Sequence, residues 1–222
     1  MRVAGCTYVI MAVSSHSLVL DRVHGIRFAV GAFTNLTQDH LDFHKTMQEY
    51  RKAKAIRFTI SAKGVINLDD PAAKAMLTDA QCPCMTFSCE KDAADLTAKN
   101  IKLHADGVEF VATTKGELAR VKLPIPGHFS VENALTALGI VLQLGLPLAD
   151  AAKSLATATG VKGRVEVVPT DTDYTVLIDY AHSPDGVETV LRAVRGLAKG
   201  RAAARVGWRG DRRRPTPPER AD

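Results

Sequence analysis

The stretch that decides the fold is residues 28–44, Phe-Ala-Val-Gly-Ala-Phe-Thr-Asn-Leu-Thr-Gln-Asp-His-Leu-Asp-Phe-His. Its first six residues form a continuous apolar run, which is typical of a buried β-strand. Polar side chains follow the run at once. In open α/β sheets, ligands bind beyond the carboxyl ends of the strands. The stretch therefore predicts a core strand with a candidate ligand site directly after it.

The flanking sequence alternates between strand and helix patterns. Short apolar runs at residues 8–11, 65–68 and 85–88 predict further buried strands. From Thr46 the apolar spacing becomes helical, and we expect Gly64 to end that helix. Such alternation predicts an α/β fold with a mostly parallel sheet flanked by helices.

Residues 97–124 follow a different pattern. Alternating apolar and polar residues there are interrupted at Gly107 and Gly116, which predicts an antiparallel meander whose turns use the positive φ that glycine allows. Two helical patterns follow, at residues 130–144 and 147–158. We therefore expect an antiparallel extension of the sheet and then two helices.

A domain boundary is expected near residue 160, because residues 160–164 are the best linker candidate. After it, strands are predicted at residues 165–169, 175–178 and 202–206, with a helix at 184–197. An α/β domain that stops after two or three strands leaves an exposed sheet edge. We therefore expect this domain to be incomplete.

The predicted organisation has three parts. Residues 1–160 form a first domain, residues 161–207 a partial second domain, and residues 208–222 an Arg- and Pro-rich tail that is expected to be disordered. Seven arginines against three acidic residues give residues 201–222 a net charge of +4, which accounts for nearly all of the chain's +5. The body therefore lacks the basic character of a nucleic-acid-binding protein.

Composition narrows the class of protein. The 222 residues are 46% hydrophobic and 24% charged, with a mean hydropathy of −0.02. These values are typical of a globular protein and exclude collagen and disulfide-rich miniproteins. No apolar run of about 18 residues occurs, so no membrane span is expected. The N-terminus lacks the pattern of a signal peptide.

The cysteines do not favour a metal site. Cys82, Cys84 and Cys89 lie close together, but no histidine follows at the spacing of a zinc site. We expect reduced thiols, as in cytosolic proteins.

Four polar clusters could carry chemistry, and each lies next to a predicted strand or at the start of a helix. They are residues 13–17, 35–44, 127–134 and 178–185. In the second cluster, the His40 imidazole could bind a metal. Each cluster also has a plainer interpretation as helix caps or solvated loops. A Ser-His-Asp hydrolase is disfavoured, because the sequence has no Gly-x-Ser-x-Gly elbow.

Taken together, the clusters resemble the Mur ligase family in their order and separation. The pieces that carry the resemblance are Ser14-Ser15-His16, residues 34–44, Ala53-Lys54-Ala55 and residues 179–185. The resemblance extends over residues 8–211, which is most of the chain.

The resemblance implies an ATP-dependent ligase that forms amide bonds in peptidoglycan synthesis. Such an enzyme uses ATP and Mg²⁺ to activate a carboxylate of UDP-N-acetylmuramoyl-dipeptide, and the amine of an amino acid, lysine or diaminopimelate, then attacks. Residues 1–160 would be the central, ATP-binding domain and residues 161–207 part of the C-terminal domain. We expect a monomer in the bacterial cytoplasm.

The resemblance also implies roles for individual residues. It makes His40 a catalytic residue and a magnesium ligand, and Lys54 a catalytic lysine whose carbamylated form would support a magnesium ion. The plainer interpretation of Lys54 is an ordinary lysine on a helix surface. The remaining roles are contacts with the nucleotide-sugar peptide by Ser14 and Arg22, and contacts around ATP by Asn133, Arg164, Asp179 and His182.

The chain departs from the family pattern in three ways. The phosphate loop Gly-x-x-x-x-Gly-Lys-Thr/Ser occurs nowhere in it, and Ala12 stands where the family has a glutamate that binds magnesium. Most of the C-terminal domain is also missing. We therefore expect a truncated ligase that is inactive alone. Two alternatives stay open: a ligase resembling folylpolyglutamate synthetase, which the run at 179–185 disfavours, and a non-catalytic substrate-binding remnant.

Overall fold

The computed structural model describes residues 3, 5–38, 41–182, 184–198 and 200–207. Its main feature is a six-stranded sheet in which each strand pairs with the next one along the chain. The first four strands are parallel and the last three pair antiparallel, so the predicted mixed α/β fold with a mostly parallel sheet and a meander is confirmed. The strands are β1 (Phe28–Phe33), β2 (Ser61–Asn67), β3 (Cys84–Ser88), β4 (Leu96–His104), β5 (Gly107–Thr113) and β6 (Leu118–Leu123).

Helices cover both faces of the sheet. Val65 and Ile66 are consecutive in β2 and point to opposite faces, and each belongs to a different buried apolar cluster. Helices α5 and α6 contribute to the Val65 cluster, and α3 and α4 to the Ile66 cluster. The helices are α1 (Ser15–Val19), α2 (Leu41–His44), α3 (Met47–Ala55), α4 (Ala73–Asp79), α5 (His128–Gln143) and α6 (Leu148–Leu155), and a 3-10 turn (Ile56–Phe58) extends α3.

Local sequence explains where several helices begin and end. The Thr46 hydroxyl accepts a hydrogen bond from the Glu49 N–H at 3.1 Å and so caps α3. Gly145 follows α5 and has a φ of 84°, a backbone conformation that is strained for residues other than glycine. The helix predicted from the pattern at residues 130–144 therefore ends before Gly145.

Residues 8–11 do not form the predicted strand. They have no strand assignment, and Tyr8 is 70% and Ile10 99% exposed. The predicted strand at residues 202–206 is also absent, and this segment is irregular. In both places the side chains suit a strand, but no strand in the described part of the chain provides backbone hydrogen bonds. An apolar run becomes a strand only where such a partner exists.

Three glycines serve purposes other than the predicted ones. Gly64 does not end α3 but lies inside β2. Glycine is needed there because a Cβ would collide with the Cys84 thiol and the Phe58 ring. Gly107 and Gly116 are not among the glycines with positive φ. At Gly107 a Cβ would collide with the Leu123 carbonyl, so close packing of the strands requires glycine at that turn.

A smaller unit follows residue 165. The strands β7 (Glu166–Val168) and β8 (Val176–Ile178) pair antiparallel, and helix α7 (Pro184–Leu197) has the predicted bounds. After Val165, none of the residues whose side chains the structure describes is buried. The predicted tail at 208–222 lies outside the described residues, and the proposed domain bounds stay predictions. No helix among the described residues has both the length and the apolar character needed to cross a bilayer.

Candidate functional site

The carboxyl ends of the parallel strands meet at one edge of the sheet, where hydrogen bonds join their loops. The Asn67 side-chain amide, at the end of β2, donates to the Thr34 carbonyl after β1 at 3.0 Å. The Leu36 N–H donates to a carboxylate oxygen of Asp70 at 2.7 Å. These contacts hold the loop after β1 against the loop after β2, which is the position where open α/β sheets bind ligands.

Asp69 connects the same edge to β3. Its carboxylate accepts hydrogen bonds from the Ser88 hydroxyl and, at 2.7 Å, from the Cys89 N–H. The Ser88 oxygen in turn accepts from the Lys91 N–H at 2.6 Å. The loops after three consecutive strands are thus connected by short polar contacts.

Lys54 points to this edge from the last turn of α3. Its Nζ donates to the Asn35 carbonyl at 2.8 Å, and so contacts the loop after β1. The same atom lies 5.0 Å from the ring centroid of Tyr50 and 6.0 Å from that of Phe33. Such distances are typical of cation–π contacts. Lys54 is half-buried, and these contacts hold its ammonium against the loop after β1.

The start of α1 lies near the same elements. The Ser14 hydroxyl accepts from the Ser17 N–H at 3.1 Å and caps α1. The Ser15 hydroxyl is buried and lies 2.8 Å from His44 Nε2. Of the two predicted contacts with the nucleotide-sugar peptide, Ser14 is therefore held at a structured turn, and Arg22 lies on an exposed segment after α1.

Arg57 attaches the segment before α1 to the edge strand of the sheet. Its guanidinium donates to the Ala32 carbonyl in β1 and, at 2.9 Å, to the Val13 carbonyl. The Nε of Arg57 is buried without a hydrogen-bond partner among the described residues. Burial lowers the pKa of Arg57 from its usual range. One buried cation thus holds the entry to α1 beside β1.

The N-terminus of α5 provides a second charged group. His128 Nδ1 lies 3.5 Å from a carboxylate oxygen of Glu132, and this contact raises the pKa of His128 above its usual value. Glu90 and Asp69, from the loops after β3 and β2, raise it further. The predicted ATP contact Asn133 lies on this helix and is exposed.

Helix α5 begins two residues before the helical pattern predicted at 130–144, and Ser130 does not cap it. It begins at His128, and Gly127 with a φ of 95° occupies the cap position. The Ser130 hydroxyl donates instead to the Pro126 carbonyl at 2.8 Å.

The three other predicted ATP contacts, Arg164, Asp179 and His182, lie in the C-terminal unit or directly before it. The two carboxylate oxygens of Asp179 accept from the Val165 N–H at 2.8 Å and the Ala181 N–H at 2.6 Å. The Arg164 guanidinium lies 5.2 Å from the ring centroid of Tyr180, and the ring of His182 packs against the same tyrosine. Asp179 thus holds its loop in shape through both oxygens.

The described residues include no ready-made metal site. His40 lies outside them, and they contain no group of three or more histidine, cysteine, aspartate or glutamate side chains placed to hold a metal. Cys82, Cys84 and Cys89 are free thiols. Burial raises the pKa values of Cys84 and Cys89 to about 12, which makes both thiols poor nucleophiles at neutral pH.

Sequence reasoning missed several residues at the sheet edge. Asp69 and Asp70 come directly after the apolar run at 65–68, and Ser88 is the last residue of β3. The rule that placed a site after β1 applies equally to the next two strands, so it could have found all three. His128 and Glu132 lie within the cluster at 127–134, but the contact between them was not predicted.

Two family models match the chain. Residues 1–141 match the model described as Mur ligase middle domain. Residues 163–222 match the model described as Mur ligase, glutamate ligase domain.

Relatives and a solved structure agree with these matches. The chain is 42% identical, over 95% of its length, to UDP-N-acetylmuramoyl-L-alanyl-D-glutamate--2,6-diaminopimelate ligase of Clostridium tetani and spans 44% of it. It is 45% identical, over 92% of its length, to UDP-N-acetylmuramoyl-L-alanyl-D-glutamate--2,6-diaminopimelate ligase 1 of Clostridium acetobutylicum and spans 43% of it. A solved structure of a ligase with the first of these names has a TM-score of 0.72 and 31% identity, covering 83% of this chain and 39% of that one. The chain thus spans less than half the length of the relatives that it matches.

Proposed function

The chain belongs to the Mur ligase family, and from that premise we propose that it is part of an ATP-dependent ligase in the bacterial cytoplasm. The ligase joins an amino acid to UDP-N-acetylmuramoyl-dipeptide in peptidoglycan synthesis. The observation that carries the proposal is the position of Lys54, whose ammonium contacts the loop after β1 at the edge where such sheets bind ligands. The relatives are named for diaminopimelate, so diaminopimelate is the first amino acid to test.

We assign separate roles to the residues near α1 and to Lys54. In this proposal, Ser14 and Arg22 contact the nucleotide-sugar peptide near α1. Lys54 offsets negative charge as the substrate carboxylate is activated, which is the main physical task in phosphoryl transfer. Carbamylation would turn the Lys54 side chain into an anion, so this role belongs to the unmodified lysine.

The ATP side of the proposal rests on the C-terminal unit and α5. Asn133, Arg164, Asp179 and His182 are the proposed contacts around the nucleotide. Both Asp179 oxygens already accept backbone hydrogen bonds. A ribose hydroxyl would therefore use the remaining lone pairs of that carboxylate.

The described residues do not by themselves fit Mg²⁺ and the ATP phosphates. No phosphate loop occurs in the sequence, Ala12 cannot bind a cation, and no metal cluster occurs in the part of the chain that the structure describes. When bound, ATP supplies the phosphoryl group that activates the carboxylate. We expect the 222 residues alone to bind substrate without turning it over.

Binding of the dipeptide substrate tests the proposal. We expect UDP-N-acetylmuramoyl-L-alanyl-D-glutamate to bind the purified chain in calorimetry, and to bind more weakly after Lys54→Met. The neighbouring Lys52 is exposed, so Lys52→Met is the matched control and should leave binding unchanged. Absence of binding by the wild-type chain would contradict the substrate assignment.

Turnover tests the second half of the proposal. With ATP, Mg²⁺, the dipeptide nucleotide and diaminopimelate, the chain should release no phosphate above the background without amino acid. Release that depends on diaminopimelate would show that the chain is an active ligase and would overturn the proposed inactivity.

A further inference from the structure

Three buried side chains connect the start of α1 with Lys54. Ser15, His44 and Tyr50 are 3%, 5% and 5% exposed and belong to α1, α2 and α3. The Ser15 hydroxyl lies 2.8 Å from His44 Nε2. The His44 ring stacks on the Tyr50 ring with centroids 5.0 Å apart and planes 18° apart. Lys54 Nζ lies 5.0 Å from the Tyr50 centroid.

Each link in this series depends on orientation. A buried imidazole needs hydrogen-bond partners, so the contact with Ser15 restricts the plane of the His44 ring. The nearly parallel stacking of the His44 and Tyr50 rings then restricts the plane of the Tyr50 ring. The face of the Tyr50 ring attracts the Lys54 ammonium through its quadrupole. A displacement of α1 therefore changes the surroundings of the Lys54 ammonium through the successive contacts of Ser15, His44 and Tyr50.

We propose that Ser15, His44 and Tyr50 are positioning residues that couple the Ser14–Ser15 turn to Lys54. The inference rests on the proposed function, in which this turn contacts the nucleotide-sugar peptide and Lys54 acts at the reacting carboxylate. Binding of the sugar-peptide at α1 then adjusts the Lys54 ammonium before the amine attacks.

An alternative explanation is that His44 only fills space. His44 also contacts Phe43 edge-on, with centroids 4.8 Å apart, and lies 5.3 Å from the His16 ring. A purely packing role would be satisfied by any ring of similar size. The coupling role additionally requires the hydrogen bond to Ser15, and this requirement separates the two explanations.

The position of the ammonium can be measured in the full 222-residue chain. Reductive ¹³C-methylation of lysines preserves their charge, and the signal missing in Lys54→Arg identifies Lys54. We expect the ring current of Tyr50 to shift the Lys54 methyl signal away from the other lysines. The shift should persist in Tyr50→Phe, which keeps the aromatic ring, and disappear in Tyr50→Leu. An unchanged shift in Tyr50→Leu would overturn the inference.

The coupling is tested by adding UDP-N-acetylmuramoyl-L-alanyl-D-glutamate to the same labelled chain. The nucleotide should move the Lys54 signal in the wild type. Its effect should fall by about half or more in Ser15→Ala and in His44→Phe, which keeps a stacked ring but loses the hydrogen bond. Ser154→Ala is the matched control, because that hydroxyl only contacts its own helix in α6.

The outcomes separate the inference from the proposed function. If the nucleotide changes no signal of the wild-type chain, the proposed function fails and the inference fails with it. If it binds and moves the Lys54 signal equally in the wild type, Ser15→Ala and His44→Phe, the inference is wrong while the function stands. Should His44→Phe not fold, Ser15→Ala decides alone, since it removes only one hydroxyl.

Discussion

The sheet region, residues 28–155, and the C-terminal unit, residues 166–197, use the same kinds of elements with different results. In the sheet region, helices cover both faces of the strands and two apolar clusters are fully enclosed. In the C-terminal unit, two short strands and one helix leave apolar side chains exposed, and Leu191 of α7 is 44% exposed. A core thus requires layers on both sides of a sheet, and strand and helix patterns alone do not provide it.

Short-range structural features, in contrast, occur in both regions or at their borders. Asp69 and Asp179 both follow a strand and accept hydrogen bonds from nearby groups. Gly145, after α5, and Gly163, three residues before β7, both have positive φ, at 84° and 72°. Short-range sequence sets these features, so they form whether or not a core lies beneath them. Four predictions test this contrast.

The largest expected difference concerns core packing. Phe87 in β3 is completely buried, and Phe87→Ala should lower the free energy of unfolding by about 3–5 kcal/mol, because it leaves a cavity. Leu191→Ala should lower it by less than about 1 kcal/mol, because that side chain is already half in water. Urea denaturation followed by circular dichroism measures both. Similar losses for the two variants would show that the C-terminal unit has a core of its own.

A smaller difference is expected for the two aspartates. Asp69→Ala leaves the Ser88 hydroxyl and the Cys89 N–H without their acceptor in a half-buried loop, which should cost about 1–3 kcal/mol of unfolding free energy. Asp179→Ala should change the same quantity by under about 0.5 kcal/mol, because its loop borders no enclosed core. Amide hydrogen exchange should nevertheless show faster exchange at Val165 and Ala181. A global loss for Asp179→Ala equal to that for Asp69→Ala would contradict the contrast.

Substitution of Gly145 or Gly163 should have a still smaller effect on the free energy of unfolding. Neither position has an atom within 4 Å of an added Cβ, so alanine there introduces only backbone strain. Gly145→Ala should lower the unfolding free energy by about 1 kcal/mol, because α5 ends there against the core. Gly163→Ala carries the same local strain but should leave the main urea transition in place. A shifted transition for Gly163→Ala would indicate that both units unfold together.

The smallest effect concerns pH and is confined to the sheet region. Contact with Glu132 raises the pKa of His128 above 6.5 in the folded chain. A raised folded-state pKa stabilises the fold fully below the unfolded value and loses this effect as the pH rises through the folded value. Stability from this pair should therefore decline as the pH rises above about 6.5.

Glu132→Gln should return the pKa of His128 towards its usual value, and NMR titration of the imidazole measures this change. Glu90→Gln is the control and should lower the pKa less, because Glu90 makes a weaker contribution than Glu132. Equal shifts in the two variants would show that the contact with Glu132 is not the main cause.

Sequence reasoning succeeded where structure depends on nearby residues. It placed β1 at residues 28–33, and the meander and α7 also occur where predicted. It was wrong for residues 8–11 and 202–206, because a strand depends on a partner strand that is often distant in sequence. It was also wrong about Gly64, whose small size serves contacts with Phe58 and Cys84 rather than a helix end.

The candidate site divides in the same way. The sequence singled out Lys54, Ser14 and the group from Arg164 to His182, because these residues belong to recognisable motifs. It did not find the connection of Ser15 through His44 and Tyr50 to Lys54, which joins three helices. His40 lies outside the described residues, so its predicted role stays a prediction.

The amino-acid sequence by itself determined the alternation of strands and helices in the sheet region, the meander, the bounds of α7 and membership of the ligase family. Apolar periodicity, capping residues and motifs act over a few residues, and they can be recognised before any folding. Only the tertiary structure decided which apolar runs are buried, which loops meet at the sheet edge and which rings stack on one another. Those outcomes depend on pairing and packing between segments far apart in sequence, where hydrogen bonds and buried surface are shared by both partners.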